Sequence, residues 1–538
     1  MGLVNRWRLI TAVAVLGGAW LRAAQYLANS SLWVDEAALS RNIVNRSIAM
    51  LAGPLDFAQS APLGFLVAQK TAIVFGASEL TLRAVPFLAS LVALILFVSI
   101  SRRLLSDHAH AVAVVMFAVG SPFIYFGSQA KQYSTDVAVA LLLTLLLLKA
   151  LEEPRRPIHW AGLGIVGVAS CLVSHGAMLV VAGQAAVMLW LYWRQPGRIP
   201  RLGFLLVEGI WCLGLGLSVV VSFRSVSPAD LDYNRAFFSA WFVPVPRSFD
   251  EATWLWNQLV DAFGTPRFGP PRLDGGLRYV LPAWYATTAV IGFGAWLKSR
   301  RVEALALMLP ILAAAAASML RLYPLGGRHS LFLLPVLILA AAKGWDVLAG
   351  LAVGRTGKAG LAQVLLAGLA AMFLGPPVSA ILNNLPPFHL EHTRPALEHI
   401  RRNWRPGDAF YVYYGAGQAF MFYAPRLGFA SDDYSIGRCA RATPERYLRE
   451  LDGFRGRPRV WTLFAHSIGD GAELVLLRDY LDRAGPRIDS FEVAAEGEHP
   501  GVGAQAYLYD LRAAPAPEAT IPPPFDTWPM TCYGTMTP

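Results

Sequence analysis

Apolar runs of about 17–21 residues recur along this chain, each long enough to cross a bilayer as a helix. They are Leu9–Ala28, Leu82–Ile100, His110–Phe126, Thr135–Leu151, Ile158–Val173, Ala177–Trp193, Gly203–Phe223, Tyr279–Leu297, Glu303–Leu320, Leu331–Leu348 and Leu361–Ile381. The pattern predicts about eleven spans. Basic residues fall in alternate gaps: Arg6 and Arg8, Arg102 and Arg103, Arg155 and Arg156, Arg194 with Arg198 and Arg201, Lys298 with Arg300 and Arg301, and Arg355 with Lys358. Lys and Arg accumulate on the cytoplasmic side of membrane proteins. The alternation predicts a cytoplasmic N-terminus, with loops 29–81 and 224–278 and the C-terminal segment outside. The first run resembles a signal peptide, but no small-residue cleavage site precedes the acidic residues that follow, so it reads as a retained span.

Other segments depart from this rhythm. Pro62–Phe75 is apolar but short, and a span there would break the charge alternation. It is expected to lie against the outer face of the membrane, with Asn42–Leu51 as a companion helix. Ser248–Phe263 carries Trp254, Trp256, Leu259 and Phe263 at near-helical spacing and reads as another interfacial helix. After Pro386 and Pro387 the pattern changes. His392–Trp404 and Ala472–Ala484 read as helices, and Ala409–Tyr414, Val460–Phe464 and Ala504–Asp510 as strands. The expected organisation is a membrane domain over 1–382, a small outer α/β domain over 383–512 and an extended Pro-rich tail over 513–538.

Composition agrees. The chain has 538 residues, 55% hydrophobic and only 15% charged, with mean hydropathy +0.44. A soluble domain could not hide that much apolar surface. A net charge of +10 would suit nucleic acid, but the cations sit between spans, so no nucleic-acid partner is expected. Cys171 and Cys212 fall within spans and read as packing residues. Cys439 and Cys532 lie in the outer segment, where a disulfide between them is open.

Candidate chemistry gathers in three polar clusters on the outer side. The first, Ser31–Ala37, places Asp35 and Glu36 just beyond the first span. Acidic residues also favour helix N-termini, so capping is the alternative role. The second, Gly127–Asp136, contains Lys131, Tyr133 and Asp136 and joins two spans. An ionised Asp near the membrane core costs about 2.5–3.5 kcal/mol unless it is paired or lines a wet cavity. The alternative for Asp136 is a tie to Lys131 or a helix cap. The third, Arg321–His329, contains Tyr323, Arg328 and His329. The forked donors of Arg suit phosphate oxygens. Its alternative is an anchor snorkelling to the headgroups.

These residues resemble a family. Asp35 and Glu36 after the first span, Pro62 and Leu63 opening a short helix, and Tyr133 with Asp136 entering a later span are similar to C-type membrane glycosyltransferases. The narrower resemblance is to the dolichyl-phosphate-mannose–protein mannosyltransferase-like branch, which includes the aminoarabinose transferases that modify lipid A. Tyr323–Pro335 and the stretch RPGDAFYVYYGAGQAF resemble bacterial members of that branch. The resemblance covers most of the chain, and motif order carries it more than any single motif. It implies a polytopic enzyme of the bacterial inner membrane that moves a sugar from a polyprenyl-phosphate donor to a glycan, lipid or protein hydroxyl. Asp35 matches the family's catalytic acid in the first outer loop, and Asp136 the acidic residue in the second. Relatives often carry an acidic or basic residue just before the proline of the short helix. Here Gln59, Ser60 and Ala61 stand there, which puts a divalent cation (Mg or Mn, held by Asp35 and Asp136) in doubt.

The chemistry can also be argued from the residues alone. A hydroxyl is a poor nucleophile, and a carboxylate that takes its proton typically gives ~10²–10⁴-fold. The leaving group is a lipid phosphate whose charge grows as the bond breaks, and cations aimed at it stabilise that charge. Asp35 is thus expected as general base, and Arg328, Lys131 and His329 as phosphate ligands. Asp136 would orient Lys131 or support a metal, Glu36 would stand behind Asp35, and Tyr133 and Tyr323 would line the substrate site.

Weaker signals are discounted. Gly415 and Gly417 follow a strand, but Phe420 stands where a dinucleotide fingerprint needs its third glycine. His389, His392, His399 and Glu391 fit no closed zinc spacing and read as a solvated helix face. His175, at the outer end of a span, reads as structural or interfacial, and Asp230, Asp232 and Arg235 as a solvated loop. The rival functions are a transporter or lipid flippase, which would show internal repeats absent from this sequence, and a non-catalytic membrane-anchored scaffold.

Overall fold

The computed structural model describes residues 3–264, 277–354, 359–389, 391–441, 443–467, 471–493 and 503–512. The Pro-rich tail, Cys532, Arg355 and Lys358 lie outside the described residues. Among the described residues nine helices are long and apolar enough to cross a membrane, and a bent pair makes a tenth. Pro157–Val173 corresponds to the remaining expected span. It has 17 residues, about 25 Å of helix. Its far end lies beside the start of Tyr133–Glu152, because Ser174 hydrogen-bonds Asp136. The two helices therefore run antiparallel over the same depth.

The basic gaps at Arg102–Arg103 and Arg300–Arg301 share one face with the end of the helix Tyr133–Glu152. Arg300 Nη1 donates to the Arg103 carbonyl at 2.8 Å, and Arg103 lies 3.5 Å from Glu152. At the opposite face Leu325 N donates to the Trp241 carbonyl (2.8 Å) and Val243 N to Ser318 Oγ (3.0 Å), tying two interspan segments together. Packing between spans is close where glycines allow it. A Cβ on Gly292 would collide with the Ala340 carbonyl oxygen, and one on Gly344 with that of Thr288. Small residues let membrane helices approach to backbone contact.

The expected span His110–Phe126 is broken. Asp107–Val119 gives way to a short piece, Ser121–Ser128, at an angle of 50°. Pro122 has no N–H, so the Ala118 carbonyl loses its partner four residues on, and Phe117 loses its own at the break. In lipid those carbonyls need another donor. Arg22 of the first span supplies it: Nη1 reaches Ala118 O at 2.9 Å and Nη2 reaches Phe117 O at 3.2 Å. The break turns residues 121–132 sideways into the bundle, where 129–132 form a buried loop.

The first large loop also differs from expectation. Its helix is Val34–Asn45, so Asp35 and Glu36 lie in its first turn. The chain turns at Arg46, and Ser47 caps a separate turn, Ile48–Leu51. The short apolar helix is Leu63–Ala72, followed by exposed Val74 and Phe75. Phe249–Gly264 is helical as expected.

The C-terminal domain is built on a five-stranded sheet of order β2-β1-β3-β5-β4: β1 Ala409–Val412, β2 Tyr434–Ile436, β3 Val460–Phe464, β4 Arg487–Val493 and β5 Ala504–Tyr509. β2, β1 and β3 are parallel, and β5 and β4 are antiparallel to their neighbours. The carboxyl ends of β1 and β3 are adjacent, with Tyr413 N donating to Leu463 O at 2.9 Å. In open α/β sheets, ligands bind beyond such ends where the strand order reverses. Gly417–Leu427 packs on Val34–Asn45 and docks the domain against the first loop. Cys439 is disulfide-bonded, while Cys171 and Cys212 are free.

Candidate active site

The helix Val34–Asn45 puts Asp35 in its first turn, and the turn before Leu334 carries Arg328. Arg328 Nη2 lies 2.6 Å from Asp35 Oδ2. The guanidinium stacks 5.4 Å from the Trp33 ring and 5.6 Å from the Tyr133 ring, so two aromatic faces hold its plane. Asp35 is almost wholly buried, whereas the Arg328 side chain keeps 18% of its surface. Tyr133 hydrogen-bonds Arg328 and lies within electrostatic reach of both Asp35 and Asp136. The two aspartates therefore flank one tyrosine on one face of the bundle.

Asp136 lies one turn deeper than Tyr133. It takes a hydrogen bond from Ser174, and its Oδ1 has no partner among the described residues. The same holds for buried Oγ1 of Thr135, Oε1 of Gln132 and both amide atoms of Gln129. Buried polar atoms are ordinarily satisfied. These atoms sit on the loop and helix that also carry Lys131 and Tyr133, and a bound polar molecule would satisfy them.

Lys131 Nζ donates to Gln59 Oε1. Burial pulls the Lys131 ammonium down to about 8, against the opposing field of Asp35. His329 is enclosed by rings. Tyr133 lies 5.9 Å away, Phe238 4.9 Å, Trp241 5.6 Å and Tyr323 6.3 Å between centroids. Tyr323 Oη donates to the His329 carbonyl at 2.9 Å. This cage needs the two glycines before Arg328: Gly327 has φ +51°, and a Cβ on Gly326 would come within 2.9 Å of the Trp241 ring.

Glu36 is committed to other partners than Arg328. Its side chain is 1% exposed and accepts from Arg83 Nε (2.9 Å), Arg83 Nη2 (2.6 Å), Ala130 N (2.6 Å) and Trp33 N (3.4 Å). It braces the first loop to the span Glu79–Leu104 and to the buried loop 129–132. Arg83 also donates to the carbonyls of Ser30 and Ser31. The hint to Arg83 was a charge lying inside an apolar run.

The residues discounted as a solvated face lie elsewhere. Glu391 is buried, with Oε2 accepting from Val34 N (2.9 Å) and Oε1 bonded to His466 Nδ1 (2.6 Å). His389 bonds Ser30 Oγ at 2.7 Å, and His392 bonds Ser31 Oγ at 2.8 Å. Burial pushes His392 down to about 4, as an uncharged acceptor for Ser31 N–H. Burial disfavours the charged form of His466, but Glu391 outweighs it and raises the imidazole above its usual value.

Among the described residues no three His, Cys, Asp or Glu side chains are placed to hold a metal ion. The donor set does not suit one: Asp35 Oδ2 is engaged by a guanidinium, and Asp35 is also within the field of the Lys131 ammonium.

Residues 59–211 match the family model of dolichyl-phosphate-mannose-protein mannosyltransferases. This stretch is mannosyltransferase-like in sequence. The family resemblance implied by the motifs thus holds for the segment bearing Lys131, Tyr133 and Asp136. The chain also shares the fold of an Archaeoglobus fulgidus oligosaccharyltransferase solved with Zn and sulfate (TM-score 0.50, 13% identity, 93% of this chain and 73% of that one). The archaeal oligosaccharyltransferase AglB from Archaeoglobus fulgidus, in complex with an inhibitory peptide and a dolichol-phosphate, matches with TM-score 0.52 at 13% identity over 90% and 73% of the two chains. Apo ArnT from Cupriavidus metallidurans matches with TM-score 0.47 at 12% identity over 94% and 98%. No curated protein matches the chain in sequence.

Proposed function

We propose that this protein transfers a sugar from a polyprenyl-phosphate donor to a hydroxyl acceptor at the outer face of a bacterial inner membrane, with its C-terminal domain extracytoplasmic. The observation that carries the reading is the Asp35–Arg328 pair at 2.6 Å, set beside Lys131 and a group of unsatisfied buried polar atoms. The acceptor oxygen bonds to the anomeric carbon as the bond from that carbon to the phosphate oxygen breaks. The acceptor proton passes to Asp35. The electron pair leaves with the polyprenyl phosphate, whose added charge is met by Arg328 and Lys131.

The pair also suggests how the base is armed. A carboxylate held by a guanidinium is a weak base. The donor phosphate competes for the same guanidinium, and Arg328 has an exposed edge from which it can turn. Donor binding thus releases Asp35 when its basicity is needed. Tyr133 and Trp33 keep the guanidinium plane close to both partners. Asp136, a turn deeper than Tyr133 and with Oδ1 unsatisfied among the described residues, would accept from sugar hydroxyls.

The test uses purified protein, radiolabelled lipid-linked sugars extracted from cells lacking the gene, and envelope membranes of those cells as acceptor. Wild-type protein should move label to the envelope, and folded Asp35→Asn should not. Transfer by Asp35→Asn at the wild-type rate overturns the mechanism. Absence of transfer by wild type, together with uptake into sealed vesicles, overturns the function.

A further inference from the structure

The four amide hydrogens of Ser31 to Val34 lead into Asp35, and each is bonded to a side chain. Trp33 N donates to Glu36 in its own loop. The other three donate into the C-terminal domain. Ser31 N reaches His392 Nδ1 (3.1 Å), Leu32 N reaches Tyr423 Oη (2.8 Å) and Val34 N reaches Glu391 Oε2 (2.9 Å). The bond from Val34 matters most. Val34 opens the helix that carries Asp35, and first-turn amides have no acceptor within their own helix. Glu391 supplies that acceptor, and its charge favours a helix N-terminus.

Glu391 is in turn held fast. It is 3% exposed, so its carboxylate must find donors inside the protein. His466 provides one at 2.6 Å. His466 lies two residues beyond β3, past the carboxyl end of the parallel strands, with φ +56°. Non-glycine residues at positive φ carry strain, which clusters at functional sites. The sheet thus presents one histidine in an unusual backbone conformation, its ring bonded to a glutamate that caps the Asp35 helix.

We infer that Glu391 is a positioning residue for the transfer reaction: locked by His466, it sets the first turn of Val34–Asn45 and with it the Asp35 carboxylate against Arg328. On this inference the C-terminal domain is part of the active site rather than an appendage. It rests on the reading of Asp35 as general base. Glu391 bonds the backbone one residue before Asp35, so its loss displaces the base without removing a donor contact. Misplacement of a reacting group by about 1 Å can cost ~10²-fold. The loss should therefore fall on kcat and spare the KM for donor.

The test compares Glu391→Ala, Glu391→Gln and His466→Asn in the full-length protein, using the extracted lipid-linked sugars and gene-deleted envelope membranes. Glu391→Ala should lower kcat by about 10–100-fold with donor KM unchanged. Glu391→Gln should recover most of it. Its amide oxygen still accepts from Val34 N–H, and its NH₂ can donate to a neutral His466 Nδ1. His466→Asn, with a residue that tolerates positive φ, should fall between. A wild-type kcat in Glu391→Ala overturns the inference, as does a Gln variant no better than Ala when both fold. If Glu391→Ala does not fold, His466→Asn decides: reduced kcat with unchanged donor KM supports the inference, and wild-type kcat overturns it. A wild-type protein without transfer overturns the proposed function and this inference together. Transfer by wild type with an unaltered Glu391→Ala overturns this inference alone.

Discussion

Glu36→Gln should unfold this protein, whereas its neighbour Asp35→Asn should leave it folded and inactive. Glu36 takes four donors, two of them from the buried Arg83 guanidinium at 2.6 and 2.9 Å. A glutamine offers one acceptor oxygen, and in either orientation its NH₂ must face an Arg83 donor together with the Ala130 or the Trp33 amide. The substitution also strands a buried cation. Breaking a buried pair from one side costs about 3–5 kcal/mol, a large share of the roughly 5–15 kcal/mol that holds a domain together. Asp35 is different. Its partner Arg328 keeps an exposed edge and rests on Trp33 and Tyr133, so losing the charge should cost only about 1–2 kcal/mol. The chemistry should lose ~10²–10⁴-fold. The assay heats detergent-solubilised variants and reads the folded fraction by size-exclusion chromatography, with label transfer measured in parallel. If Glu36→Gln melts with the wild type and loses transfer as Asp35→Asn does, Glu36 is working on the substrate and the brace described above is wrong.

Further outcomes follow from single groups. Lys131 should be charged below about pH 8 and neutral above it, because its amine is held near that value. Donor KM should rise as pH climbs through that point. Lys131→Arg, charged throughout, should flatten this alkaline limb in a KM-against-pH series. Gly344→Val drives a side chain into the Thr288 carbonyl and should abolish folded expression, read by fluorescence of a tagged protein. Cys439 should resist maleimide until reductant is added. Cys532→Ser should expose it without reductant, as peptide mass spectrometry would show; labelling that still needs reductant would mean another partner.

The membrane domain was legible because lipid imposes a strict rule: every span must be apolar and long enough. All the expected spans have a helix at their position. The break at Gly120 is not written in the local hydropathy, because the carbonyls it frees are satisfied by Arg22 of the first span, about a hundred residues away. In the C-terminal domain β1, β3 and β5 were readable as apolar strands. β2 has three residues, and β4 alternates exposed with half-buried positions, so neither stands out from loop. The candidate site was half legible. Asp35, Arg328, Lys131, Tyr133 and Asp136 are charged or polar residues at membrane edges, and such positions need a reason. Glu391 and His466 could not be found that way. Glu391 meets the first loop across 357 residues of sequence, and in a polar segment nothing local separates a buried glutamate from a solvated one.

The three acidic candidates also sort themselves by what surrounds them. Glu36 spends both oxygens on donors that hold the fold, and a carboxylate so committed cannot accept a proton without dismantling its setting. Asp136 lies a turn deeper than Tyr133, bonded to Ser174 and with Oδ1 unsatisfied among the described residues, a disposition suited to accepting from a hydroxyl. Asp35 alone faces a guanidinium that a substrate anion can claim. Under the proposed function, a base that stays paired until the donor arrives would not take protons idly, and the cation that releases it would then stand where the leaving phosphate needs charge. One arginine can serve both ends of the reaction only if it reaches both, and the stacking of Arg328 between Trp33 and Tyr133 supplies that restriction. Lysine in its place would keep the charge but lose the fork and the stacking plane. Arg328→Lys should therefore bind undecaprenyl phosphate more weakly and also transfer more slowly at saturating donor, by about tenfold or more. A variant that loses affinity yet keeps wild-type kcat would mean that holding the phosphate and arming the base belong to different residues.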